Sequence, residues 1–178
     1  MFKVAAVIQR GIDIAITLNN VRYSGRMIRS VEVAMHPFPH HYVVTATARP
    51  SGDVPLTAEG LRVIESAMPK EFDGPGNQWS PESLLAAAVA DCFVLSFRAV
   101  AVGFKFSWIS LDVRTEGTVE RSDGKMRFTK FMTHAKLRIA AGGDTDKAKR
   151  LLEKAEASCL VTNSLSSDVH LTTEVTLG

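Results

Sequence analysis

Between residues 84 and 102 the chain carries only three strongly polar side chains, Asp91, Ser96 and Arg98, in an otherwise apolar run. Just before it, Ser80 can cap a helix, and Pro81 suits the first helical position because the amide it lacks would have no intrahelical partner. Glu82 then sets a negative charge in the first turn, at the positive end of the helix dipole. The pattern predicts one long helix over residues 80–103, apolar on nearly every side and so buried at the centre of the fold. At roughly 20 residues it has the length of a membrane span, but Asp91 and Arg98 near its middle make insertion costly, and no membrane is expected.

Elsewhere the apolar period is two. Ile12, Ile14, Ile16 and Leu18 alternate with more varied neighbours and suggest a strand. Residues 42–48 and 61–67 read as strands, the first ended by the turn Arg49-Pro50-Ser51-Gly52. Gly74, Pro75, Gly76 and Asn77 make residues 69–79 an irregular loop into the long helix. Beyond that helix, Ile109, Leu111, Val113 and Thr115 alternate with Ser110, Asp112, Arg114 and Glu116, the pattern of a half-buried strand. Asp123-Gly124 is a hairpin turn, and the returning strand over 126–140 puts Phe131, Ala135, Leu137 and Ile139 on one face. Gly142-Gly143-Asp144 caps a second helix. In it Ala148, Leu151, Leu152, Ala155 and Cys159 recur at helical spacing, with Lys147, Lys149, Arg150, Glu153, Lys154 and Glu156 on the solvent side. A last strand alternates through Val169, Leu171, Thr173, Val175 and Leu177. The sum is an α+β fold of antiparallel strands and two helices, each helix with one cysteine.

A length of 178 residues suits one compact domain with a substantial core. Residues 36–178 form that domain, and residues 1–35 read as an N-terminal extension of unassigned role. The net charge of +2, without a dense Lys/Arg block, gives no reason to expect nucleic acid. The short apolar run over residues 4–8 is broken by Gln9-Arg10, a poor secretory leader. His36, His40 and His41 flank two prolines with no carboxylate or cysteine close by, and read as a solvated linker rather than a metal site. Cys92 and Cys159 are too few for a disulfide scaffold and lack metal-site spacing. The expected compartment is the reducing cytoplasm, where a disulfide is transient or catalytic rather than structural.

Two readings of the cysteines stand side by side. A cysteine in an apolar helix is commonly an inert small hydrophobe. Alternatively the two thiols form a redox pair, one attacking peroxide as thiolate and the second converting the sulfenic acid to a disulfide. Composition does not choose between them.

Resemblance does. Pro81-Glu82-Ser83-Leu84-Leu85-Ala86-Ala87-Ala88-Val89-Ala90-Asp91-Cys92 resembles the signature helix of the OsmC/Ohr family, the osmotically induced and organic hydroperoxide resistance proteins. There a Pro-Glu pair opens the helix and the first cysteine follows ten residues after the glutamate, as Cys92 follows Glu82. Ala155-Glu156-Ala157-Ser158-Cys159-Leu160-Val161-Thr162-Asn163-Ser164-Leu165 resembles the family's second-cysteine motif, and the stretch from Glu59-Gly60-Leu61 to Asp73-Gly74 also matches in order and spacing. The similarity covers residues 40–177 or so. Many members have proline after the second cysteine, where this chain has Leu160.

The resemblance implies an OsmC-like α+β fold in an intertwined homodimer, with two active sites along the interface. It implies a thiol-dependent peroxidase that favours organic hydroperoxides, with Cys92 peroxidatic and Cys159 resolving. Glu82 matches a glutamate that pairs with an arginine at the site. Arg49 is the candidate arginine, with Arg98 and Arg62 as substitutes. Arg49 would favour the Cys92 thiolate while Glu82 orients the guanidinium through a bidentate pair. An external dithiol of lipoyl or thioredoxin type would reduce the disulfide, and no cofactor or metal is needed. Phe93, Phe97, Met68, Phe72 and Trp79 are the candidate pocket wall for an alkyl or aryl hydroperoxide, Phe93 and Phe97 being equally readable as core. Asp91, adjacent to Cys92 on a helix, should point about 100° away from it. Ten residues of helix rise about 15 Å, so Glu82 does not reach Cys92 of its own helix: either Arg49 bridges the gap or the glutamate comes from a second chain. The alternative reading is a non-catalytic redox-sensing or small-molecule-binding protein on the same fold, favoured by Leu160 and the N-terminal segment.

Overall fold

A computed structural model describes residues 36–178 and, before them, two short strands, β1 (Arg22–Tyr23) and β2 (Arg26–Met27), paired antiparallel. The strand expected over residues 12–18 lies outside the described residues. The chain divides into two units, residues 1–42 and 43–178. In the first unit His40 Nε2 lies 2.8 Å from the His36 carbonyl and its ring stacks on Phe38.

The second unit opens with a three-stranded antiparallel sheet of β3 (Thr45–Ala46), β4 (Val54–Thr57) and β5 (Ile64–Ser66), in that order. The two strands expected over 42–48 and 61–67 are present but shorter. Between them β4 forms the centre of the sheet, a strand the pattern did not suggest because Pro55 sits inside it and proline is uncommon within sheets. Pro55 is tolerated because its carbonyl accepts from the Thr47 amide at 3.3 Å, and it has no donor to leave unpaired.

A 3₁₀ turn, Lys70–Phe72, leads into α1 (Pro81–Gly103). The start of α1 is the one expected: Ser80 Oγ accepts from the Ser83 amide at 3.2 Å, and the Ser83 hydroxyl accepts from the Ser80 amide at 2.8 Å. The burial of α1 differs from expectation. Val89, Phe93, Phe97 and Ala101, spaced by four, form one buried stripe, while Val102 is 66% exposed and Leu95 half-exposed. One chain supplies packing for one face only, so α1 is not a fully enclosed helix within it. By length and composition α1 could also cross a membrane; here its buried stripe packs into the core.

That core forms against a second sheet. β6 (Ser110–Ser122) and β7 (Lys125–Ile139) make a long hairpin whose turn, Asp123-Gly124, has φ of 52° and 76°, the left-handed conformation such turns need. The buried row of β7 is Phe131, Thr133, Ala135, Leu137 and Ile139, as the alternation predicts. Thr133, the polar member, is satisfied across the sheet by the Thr115 hydroxyl at 3.3 Å. A register irregularity at Thr118/Val119 bends the far end of the hairpin. β8 (Asp168–Leu177) pairs with β7 in parallel, correcting the all-antiparallel expectation. The reason is topological: after β7 the chain crosses over through α2 (Thr145–Ala157) and returns in the same direction. Ala148, Leu151, Leu152 and Ala155 of α2 join the stripe of α1 over the sheet. The second unit is α+β, with one antiparallel and one mixed sheet.

Candidate active site

The helical spacing of α2 continues to Cys159, but the helix stops two residues earlier. Ser158 ends it by donating its hydroxyl back to the carbonyls of Lys154 at 3.0 Å and Ala155 at 3.1 Å. Cys159 is then extended, with φ −70° and ψ 112°, and starts the single-turn helix α3 (Leu160–Asn163). This break carries Cys159 out of the α2 spiral and against α1.

Cys92 and Cys159 meet there. Both are free thiols, Cys159 fully buried and Cys92 partly accessible. The two thiols are close enough for Cys92 to bear on the ionisation of Cys159. The first turn of α3 also gives the Val161 amide to Cys92 Sγ at 3.5 Å. Burial pushes the Cys159 thiol up, and the neighbouring Cys92 pushes it further; the hydroxyl and amide of Thr162 act the other way and are outweighed. The geometry therefore offers one accessible thiol with an amide donor at its sulfur, and one sequestered thiol held protonated beside it.

Glu82 lies elsewhere. It sits in the first turn of α1, with Oε2 buried and without a hydrogen-bond partner among the described residues. It lines a cleft of about 710 Å³ with Phe72, Ser83, Ala86, Gly117 and Phe128, and Cys92 is not part of that lining. The expectation that Glu82 cannot reach Cys92 along its own helix agrees with this placement. Arg49 is exposed in the turn after β3 and makes no ion pair among the described residues, and the same is true of Arg62 and Arg98. Within one chain the two cysteines are brought together, while Glu82 and Arg49 are not joined to them.

Of the five residues expected in a pocket wall, Phe72 lines the cleft. Phe93 and Phe97 do not: both are 0% exposed in the core, and Phe97 meets Trp108 edge-on at 5.5 Å. Their spacing of four on α1 matches its buried stripe, which is why they point inward. Met68 and Trp79 are exposed and outside the cleft lining, Trp79 bridging to Ser66 of β5. Asp91 is exposed, so its charge needs no partner within the chain.

Two residues near the thiols were not anticipated. Glu156, placed on the solvent side of α2 by its charge, is half-buried, with Oε2 shielded and unpartnered among the described residues. Burial pushes its carboxyl up, against a smaller opposing effect of the Thr162 hydroxyl. Thr162 is buried and donates its hydroxyl to the Cys159 carbonyl at 3.2 Å. The end of α2 at Ala157 and the turn into α3 place Glu156, Cys159 and Thr162 at one corner, which no signal in the sequence gives.

The sequence profile described as OsmC-like protein matches residues 74–174. An uncharacterized protein from Acinetobacter baylyi is 30% identical over 137 residues, 75% of this chain and 93% of that protein. An organic hydroperoxide resistance protein OsmC from Legionella pneumophila superposes with a TM-score of 0.63 at 28% identity, over 79% of this chain and 99% of that one. An OsmC-like protein of unknown function from Vibrio cholerae gives a TM-score of 0.69 at 17% identity, over 76% and 100% of the two chains, a likeness of fold.

Proposed function

The chain belongs to the OsmC-like family, and from that premise we propose that it is a thiol-dependent peroxidase reducing organic hydroperoxides. One observation carries the reading: an accessible thiol, Cys92, neighbours a buried thiol, Cys159, and neither is in a disulfide. The likeness to a protein named for organic hydroperoxide resistance supports the substrate class.

In the proposed cycle the Cys92 thiolate attacks the terminal oxygen of the hydroperoxide. The O–O bond breaks, the alkoxide leaves and takes a proton as alcohol, and Cys92 becomes a sulfenic acid. Cys159 then attacks the Cys92 sulfur, releasing water and leaving a disulfide that an external dithiol of lipoyl or thioredoxin type reduces. Cys159 suits the resolving role because its burial keeps it from oxidants while its nearness to Cys92 keeps it in reach. The reaction belongs in the cytoplasm, where the disulfide is reduced again after each turnover.

The exposed apolar face of α1 and the unpartnered Glu82 carboxylate support a homodimer. A second copy would cover Leu95 and Val102 and bring its own Glu82, oriented with Arg49, toward Cys92 of the first. A second reading is a redox sensor whose thiols react without turnover; it rests on Leu160, 70% exposed at the turn where many members have proline.

Turnover separates the two. Purified protein with a dithiol reductant should consume cumene hydroperoxide much faster than hydrogen peroxide, and Cys92→Ser should abolish it. Consumption by wild type no faster than by Cys92→Ser ends the peroxidase reading.

A further inference from the structure

A buried thiol is a poor nucleophile until it loses its proton, and bulk water does not reach Cys159, which is 0% exposed. The proton needs an acceptor inside the protein. The residues at the α2–α3 corner supply a path. The Thr162 hydroxyl lies against Cys159, donating at rest to its carbonyl at 3.2 Å. The same hydroxyl is near enough to the Glu156 carboxyl to oppose the effect of burial on it. Glu156 Oε2 is buried and has no hydrogen-bond partner among the described residues, so an acceptor stands unused at the end of the path. The corner is held rigid by the Cys159 amide donating to the Glu156 carbonyl at 3.0 Å and the Asn163 amide to the Cys159 carbonyl at 3.0 Å.

We propose that Glu156, acting through the Thr162 hydroxyl, accepts the proton of the Cys159 thiol as that thiol attacks an oxidised Cys92. Glu156 is thus a positioning residue for the resolving step. Its role in natural turnover rests on the peroxidase reading, but the thiol chemistry itself does not. In that turnover the S–S bond forms as the S–O bond of the Cys92 sulfenic acid breaks. Cys159 is oxidised, the sulfenyl sulfur is reduced, and hydroxide leaves. The proton passes from Cys159 to Thr162, from Thr162 to Glu156, and ends on the hydroxide as water. Cys92, from α1, is the titratable group that bears on Cys159 in this corner, and Thr162 is the polar side chain that bears on Glu156.

The arrangement is tested without peroxide. Full-length protein reacts with 5,5′-dithiobis(2-nitrobenzoate), first at the accessible Cys92, releasing one thionitrobenzoate and leaving a mixed disulfide. Attack by Cys159 on the Cys92 sulfur then releases the second, and a stopped-flow trace resolves both. Glu156→Gln and Thr162→Val should leave the first release unchanged and slow the second on the order of 100-fold at pH 7, the low end for a positioned acid–base group. Thr162→Ser, which keeps the hydroxyl, should restore the wild-type rate. The deficit should shrink as pH rises and Cys159 ionises unaided, a dependence that a merely structural effect would lack. A second release at the wild-type rate in both Glu156→Gln and Thr162→Val overturns the proposal. So does a deficit equal at every pH, or a wild type that releases only one equivalent. Rapid release of both equivalents by a wild type that consumes no hydroperoxide would end the peroxidase reading and leave this inference standing.

Discussion

Phe97→Ala distinguishes a core ring from a pocket wall. The ring is 0% exposed and packs among Ala101 of its own helix, the β7 row and α2. Removing a buried phenyl costs about 3–5 kcal/mol in lost transfer energy and residual cavity. About 0.5–1.5 kcal/mol of that is the edge-on contact with Trp108, at 5.5 Å and 72°. For a chain of this length each kcal/mol lowers Tm by about 2–4 °C, so the substitution should lower it by about 6–20 °C. The assay is thermal unfolding at one fixed protein concentration, because any association would otherwise shift the midpoint. Thionitrobenzoate release from Cys92 is measured alongside, below the transition. Since neither Cys92 nor Cys159 belongs to the core cluster that holds Phe97, that rate should be unchanged. Phe97→Leu, which keeps much of the volume, should show the same pattern with a smaller shift. An unchanged Tm with altered selectivity among hydroperoxides would refute the reasoning and return Phe97 to the pocket.

Gly117→Ala should destabilise the protein by about 1–3 kcal/mol, read from urea unfolding. An added Cβ would lie 2.7 Å from Phe128 Cε1 and 2.8 Å from Phe131 Cε1, two rings already stacked at 4.9 Å. Glu156 makes stability depend on pH. Its carboxyl is raised by burial, so its favourable contribution is full below the ordinary carboxylate range and is lost as pH rises through the raised value. Glu156→Gln should therefore unfold at a higher temperature than wild type at pH 7, and the gap should close toward pH 4.

The hairpin, the crossover helix and the start of α1 were legible because local chemistry decides them. The Asp123-Gly124 turn, the alternation of β7 and the Ser80/Pro81 cap all act within a few residues. What escaped was decided by tertiary context. β4 was hidden by Pro55, whose missing donor costs nothing where its carbonyl alone is used. The parallel pairing of β8 follows from the crossover through α2, which alternation within a strand does not encode. The burial of α1 was overestimated because hydropathy counts apolar side chains and not the surfaces available to cover them. At the site, the pairing of Cys92 with Cys159 followed from two motifs in order. The half-burial of Glu156 did not, since a charged residue next to lysines on an amphipathic helix reads as solvated. Only the end of α2 at Ala157 and the turn into α3 bring it to the thiols.

The central claim is that Cys92 and Cys159 form one redox unit driven by organic hydroperoxide. Mass spectrometry of the reduced full-length protein, after one equivalent of cumene hydroperoxide and alkylation, tests it directly. The account predicts a single disulfide joining the Cys92 and Cys159 peptides of one chain, and a sulfenic acid on Cys92 in the Cys159→Ser variant. Recovery of both cysteines as alkylated thiols, or oxidation of Cys159 with Cys92 untouched, would contradict it.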